Sequence, residues 1–207
     1  MIRFHVKALS CVVLAAFAVT LAGCARDSYD RQCYVLGAAR ERGPVEARID
    51  GALEVRRLSV DAAFAGKCFV YRVAEHEYEP DYYHQFLVPP GIMLTNKTRQ
   101  WLADCGLFER VLPADTRLEP TYTLEGSVAG LYGDFTDDSA PQAVLEIRYF
   151  LLNSDSDAEA VVFAETYRVL TPIPERTAAA FVAALDRSLT EILTRLEADL
   201  ENHQIAK

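Results

Sequence analysis

No apolar run in this chain is long enough to cross a bilayer as a helix. Such a helix needs roughly 20 consecutive apolar residues to cover about 30 Å of hydrocarbon, and the longest run, Ala8 to Leu21, has about 14. Basic charge is also scarce, with 21 Lys and Arg against 30 Asp and Glu and a net charge of −9. Phosphate backbones and anionic headgroups repel such a chain, which excludes nucleic acid as a partner and argues against a folded surface lying flat on lipid. The sequence contains no G-x-x-x-x-G-K-[ST] and no H-E-x-x-H, so the phosphate-cradling loop of an ATPase and the zinc helix of a metalloprotease are missing. No Pro/Gly/Ser-rich linker, fixed-period repeat or low-complexity segment divides the chain, so one domain is expected after the leader.

What is present begins with that leader. Arg3 and Lys7 precede the apolar run and small residues end it, the arrangement of a secretory signal, so residues 1–23 are expected to be removed. Leu21-Ala22-Gly23-Cys24 resembles the lipobox of bacterial lipoproteins, which implies that the Cys24 thiol receives a diacylglyceryl group and becomes the first mature residue. A plain signal peptide with an incidental cysteine is the alternative. One acyl chain holds a membrane only marginally at about 0.8 kcal/mol per buried CH₂, whereas two or three make attachment effectively permanent. Asp directly after the cysteine often marks retention in the inner membrane, and here Ala25 stands there. The expected location is therefore the periplasmic face of the outer membrane, with the inner membrane as alternative. Residues 24–31 form a short tether that reaches about 25 Å at most, and residues 32–207 form the domain.

Loss of the leader removes Arg3 and Lys7, which deepens the net negative charge by two, and removes Cys11. With Cys24 acylated, Cys33, Cys68 and Cys105 remain in a compartment that oxidises thiols. One disulfide with a third thiol buried fits this odd number, and so do three buried thiols packed as small hydrophobes. Their spacing matches no zinc site.

Short runs rich in aromatic and β-branched residues predict strands at Cys33–Leu36, Leu53–Leu58, Cys68–Tyr71 and from Glu77 to Val88. Pro89-Pro90 then predicts a helix start, and Leu94, Thr98, Trp101, Leu102 and Cys105 recur at helical spacing up to a stop at Gly106. Leu107, Phe108 and Val111 predict packing back into a short strand. Thr121–Tyr132, Ala143–Leu152 and Ala160–Leu170 are separated by "GDFTDDSAPQ" and "NSDSDAE", whose turn-forming residues predict an antiparallel meander. From about Thr177 to Leu200, Phe181, Leu185, Leu189, Ile192, Leu196 and Leu200 line one face of a long final helix. The expected fold is α+β: a mostly antiparallel sheet with two helices packed on one face, the last long and C-terminal.

Sites of chemistry are hard to find. His76 and His84 lie beside Glu75, Glu77 and Glu79, but one straight strand sets them roughly 27 Å apart, so only a sharp turn near Pro80 joins them around a metal. Asn153, Asp155 and Asp157 match the first ligands of a calcium loop, yet Ala158 replaces its turn glycine and Ala164 its bidentate glutamate. In "GSVAG" from Gly126 to Gly130, Ser127 lacks the central place that a nucleophile elbow requires. Lys67, Arg72, Arg99 and Arg110 are candidate partner contacts, but charged residues at element ends usually sit in solvent. Trp101, the single tryptophan, fits the core better than a ligand platform.

The segment "YHQFLVPPGIMLTNKTRQWLADCGLFERV", Tyr83 to Val111, resembles the signature of the ABC-type transport auxiliary lipoproteins. Phe86, Pro89, Pro90, Arg99, Trp101, Leu102, Gly106, Leu107 and Phe108 stand at the places of an aromatic strand, a Pro-Pro helix start, an Arg and Trp-Leu helix and a Gly-Leu-Phe exit. "CYVLG" at Cys33 to Gly37 resembles the family's first strand, and Cys33, Cys68 and Cys105 are no part of its pattern. The resemblance implies a periplasm-facing lipoprotein without catalytic residues or cofactor. It would serve an importer-like system with an ATPase, a permease and an MCE-domain protein, which moves phospholipid or other hydrophobic molecules between the two membranes. It also implies a homo-oligomer ring at the end of an MCE tunnel. The motif residues are then structural or partner-binding. Two other classes stand beside this one: a structural envelope lipoprotein that scaffolds another assembly, and a periplasmic hydrolase, for which His84 and His76 are the available bases.

Overall fold

The computed structural model describes residues 30–45, 49–154 and 160–202. The expected leader, Cys24 and the expected tether before Asp30 lie outside the described residues, as do Asp155 and Asp157 of the calcium-like loop. In chain order the elements are β1 Gln32–Tyr34, β2 Ile49–Val55, β3 Ser59–Val60, β4 Cys68–Ala74, β5 Glu77–Phe86, α1 Pro90–Cys105, β6 Phe108–Val111, β7 Tyr122–Asp134, β8 Gln142–Asn153, β9 Ala160–Pro172 and α2 Ala178–Asn202. This is the expected α+β arrangement with a long C-terminal helix. Neither helix is long and apolar enough to cross a membrane.

The frame is the antiparallel meander β7–β8–β9. Ala143, Leu145, Ile147, Tyr149 and Leu151 alternate along β8 and are all fully buried, so one face of the meander carries the core. Long α2 lies on β8 and β9, and α1 packs against β2, β3, β6 and α2. Phe181, Leu185, Leu189, Ile192, Leu196 and Leu200 are all buried, as their helical spacing requires.

The sheet is mixed rather than mainly antiparallel throughout. The other edge of β7 is shared by three short strands, β2 at Tyr122–Leu124, β3 at Ser127–Val128 and β4 at Gly133–Asp134, all running parallel to it. From β2 the sheet continues to parallel β6, and from β4 to antiparallel β5 and then parallel β1. Tight turns join antiparallel neighbours and leave a local signature, whereas parallel neighbours need long crossovers, here the segment after β1 and helix α1. That is why the meander was legible locally and the parallel wings were not.

Two local departures have physical causes. The run Leu53–Leu58 is split because Leu58 turns inward under α1, where its backbone N–H donates to Thr95 Oγ1 at 2.9 Å, and β3 begins only afterwards. Leu58 approaches β7 so closely that a Cβ at Gly126 would lie 2.9 Å from its Cγ, so this strand position needs glycine. A bulge between Val128 and Gly130 shifts the register of β7. Beyond it Tyr132 faces away from the helices and stacks on Phe64 at 5.5 Å, with Tyr78 edge-on at 5.4 Å.

Candidate functional site

The motif residues that suggested a function are mostly interior. Phe86 ends β5 in an edge-to-face contact with Phe69 at 4.7 Å, and Phe69 meets Phe181 of α2 at 5.3 Å. Pro89 is the N-cap of α1 and Pro90 its first helical residue, where a missing N–H costs nothing. Gly106 closes the helix in the left-handed conformation, φ 71°, and Leu107 and Phe108 then drop into the core. Leu102 is fully buried. Arg99 remains half-buried and donates to the Val55 carbonyl at 3.2 Å, which ties α1 to the end of β2.

Trp101 leads to a network that sequence reasoning missed. Its indole N–H donates to Glu197 Oε2 at 2.8 Å, and Arg40 reaches the same carboxylate through Nε at 2.8 Å and Nη2 at 2.7 Å. Arg40 and Glu197 side chains are only 2% and 7% exposed. Arg40 holds the Glu197 carboxyl below the ordinary glutamate range, and that bond in turn raises the guanidinium. The remaining Nη1 of Arg40 donates to the Gly43 carbonyl at 2.7 Å. A signal existed in the sequence: Glu197 follows Leu196 and stands four residues after Leu193 on the apolar face of α2, and a buried charge implies a buried partner.

Arg40 belongs to an irregular strap, residues 35–45, that crosses both helices. Leu36 is buried against Met93 of α1, and the Gly37 N–H donates to Asp186 Oδ1 of α2 at 2.7 Å. Burial pushes the Asp186 carboxyl up, against hydrogen bonds from the Gly37 and Ala38 N–H groups. Lys97 Nζ donates to the Ala38 carbonyl at 3.3 Å, and the Val45 N–H donates to the Cys105 carbonyl at 2.7 Å. Two grooves run between strap and α2, one of about 170 Å³ beside Arg40 and Trp101 and one of about 480 Å³ beside Asp186 and Thr190.

A second built feature lies in the wing formed by β4, β5 and β1. Between the pairs Cys68–Gln85 and Val70–Pro80, one residue of β4 faces four of β5, Asp81 to His84. Asp81 organises this wide bulge. Its Oδ1 accepts the N–H groups of Tyr83 at 2.8 Å and His84 at 3.0 Å, while Oδ2 meets His84 Nδ1 at 2.7 Å and accepts the Tyr71 hydroxyl at 3.2 Å. Burial alone would raise the Asp81 carboxyl, but the bonds from Tyr83 and His84 outweigh it and the net shift is downward. The bulge presents Tyr82, 68% exposed, and Tyr83, 49% exposed.

His76 sits at the β4–β5 turn and His84 inside the bulge; among the described residues no group of three or more His, Cys, Asp or Glu side chains could hold a metal. Ser127 lies within β7, opposite Arg148 and Ser59. The candidate cations are engaged within the chain: Lys67 with the Leu87 carbonyl, Arg72 with Asp134 and Arg110 with Glu109. Cys33 is exposed, Cys68 half-buried and Cys105 buried, and all three are free. Cys33 and Cys68 flank Gln85 in register from either side, which sets them two strand spacings apart, about 9.6 Å, beyond the roughly 7 Å that a disulfide tolerates.

A strap-bound pair of helices on a mixed sheet, with a signature of helix-start prolines and interior Trp, Leu and Phe, defines a class of α+β domain. The family model described as the ABC-type transport auxiliary lipoprotein component matches residues 34–197, and the chain belongs to that family. The match takes in the strap, the motif helix and Glu197. Membership makes the chain an auxiliary component of a transport system, in a family of lipoproteins. The fold is shared with protein XCC0632 from Xanthomonas campestris, 22% identical, with a TM-score of 0.71 over 82% of this chain and 95% of that one. It is shared also with an uncharacterized protein, 16% identical, with a TM-score of 0.65 over 83% and 99%. The hypothetical protein CT253 from Chlamydia trachomatis gives a TM-score of 0.52 at 7% identity, over 73% and 98%. No curated protein matches the sequence.

Proposed function

We propose that this chain is a lipid-anchored, non-catalytic auxiliary component of an MCE/ABC-type system that moves phospholipids or other hydrophobic molecules between inner and outer membranes. The observation that carries the reading is the family match over residues 34–197, nearly the whole domain that follows the lipobox-like Leu21–Cys24. The acyl chains on Cys24 hold the domain at the periplasmic face of the outer membrane, and a protein surface captures the MCE-domain partner. Tethering raises the effective concentration of the two sites, so a weak docking contact suffices. A ring of copies would place several such contacts around one tunnel.

The test is recovery of the acylated protein from membranes with mass spectrometry of the proteins and lipids that accompany it. Co-purification of an MCE-domain protein with its permease and ATPase is expected. Recovery with an unrelated envelope assembly instead would sink the transport reading. Cys24→Ala is expected to release folded, soluble protein, and a variant that stays on membranes through high salt refutes the anchor.

A further inference from the structure

We infer that the Asp81–His84 bulge of β5 is a membrane-contact element, whose Tyr82 and Tyr83 rest at the headgroup level of the bilayer that holds the acyl anchor. The inference rests on the anchoring part of the proposed function. Its first support is that the bulge is built. Three extra residues in one strand cost ladder hydrogen bonds, and Asp81 restores order by engaging two backbone N–H groups, a histidine and a tyrosine. The result is two adjacent aromatic side chains held outward at 68% and 49% exposure. Tyrosine has an apolar ring and a polar tip, the combination that settles at a membrane–water interface.

The second support is where the chain goes. It enters β1 at Gln32, in register with His84, one residue past Tyr83. From Cys24 to Gln32 the tether reaches about 25 Å at full extension and less in any relaxed state. A domain on so short a tether cannot present every face to the lipid, and the face beside the tether's exit is the one held closest. The exposure of Val35 and Leu87, 55% and 53%, continues along the same edge, where the Leu87 N–H bonds the Tyr34 carbonyl.

Charge sets the orientation in the same sense. Glu75 and Glu77 crowd the β4–β5 turn at the other end of β5, so contact through the bulge keeps that acidic tip away from headgroups. Beyond Val35 the strap, together with the two helices, stays free for a protein partner.

The experiment uses the full acylated protein, one copy per vesicle on average, on vesicles of phosphatidylethanolamine and phosphatidylglycerol. Hydroxyl-radical oxidation of Tyr82 and Tyr83 is compared with that of Cys24→Ala in solution, with Tyr78, 44% exposed on the same strand, as internal reference. A severalfold fall at Tyr82 and Tyr83 with Tyr78 unchanged is expected. Equal oxidation in both states, on protein whose intact mass shows an acylated Cys24, overturns the contact and leaves the anchor standing. An unmodified amino terminus overturns both. Protection that appears only when vesicles are crowded with protein assigns the bulge to a second copy and also overturns the membrane contact.

Discussion

The Glu197 carboxylate is the most informative place to perturb this fold. Glu197→Gln keeps the side chain's size and an acceptor for the Trp101 indole, but leaves the Arg40 guanidinium charged at 2% exposure without its counter-ion. Removing one partner of a buried pair costs about 3–5 kcal/mol. For a domain of this size, roughly 2–4 °C is lost per kcal/mol, so the unfolding midpoint falls by about 10 °C. Replacing both partners together, Arg40→Met with Glu197→Leu, removes the stranded charge and recovers most of that loss, because apolar pairs of similar volume are often as stable as the ion pair. Urea unfolding of the soluble Cys24→Ala protein measures both variants. Amide exchange across residues 37–45 adds a local reading, since Arg40, beside the Gly37–Asp186 bond, fastens the strap to α2. A loss below about 1 kcal/mol for Glu197→Gln, the scale of a surface pair, refutes the reasoning.

Three further outcomes follow from the same geometry. Because the folded Glu197 carboxyl is held below its ordinary range, the pair's stabilisation is complete above about pH 4.3 and is lost as pH falls through the depressed folded value; the urea midpoint of the native chain should drop there more steeply than that of the doubly apolar variant. Gly126→Ala places a methyl 2.9 Å from Leu58 Cγ and 3.2 Å from Tyr149, and should cost about 1–3 kcal/mol by overpacking; unchanged thermal stability would show that Leu58 can move aside. A maleimide should label Cys33 in the folded protein and Cys105 only after unfolding, since burial both shields the Cys105 thiol and raises it; peptide mapping of the labelled sites checks this.

Local pattern alone was enough for much of this molecule. Pro89-Pro90 and Gly106 bounded α1 because a missing N–H and a left-handed φ act on the residue itself, and the spacing from Phe181 to Leu200 identified the buried face of α2 for the same reason. The meander was legible because antiparallel neighbours are joined by turns whose residues are adjacent in sequence. The family signature, Phe86 to Phe108, was likewise readable, and it marks packing positions more than a surface.

Tertiary structure decided the rest, through contacts between residues far apart in the chain. The parallel pairing of β2, β3 and β4 along one edge of β7 depends on crossovers that no short window records. Arg40 reads in sequence as one more surface arginine, and only the fold brings it to Glu197, 157 residues away. Asp81 reads as one acid in an acidic strand, until the bulge turns four hydrogen-bonding groups onto it. Burial converts ordinary charged residues into obligate partners, and burial is a property of the folded whole.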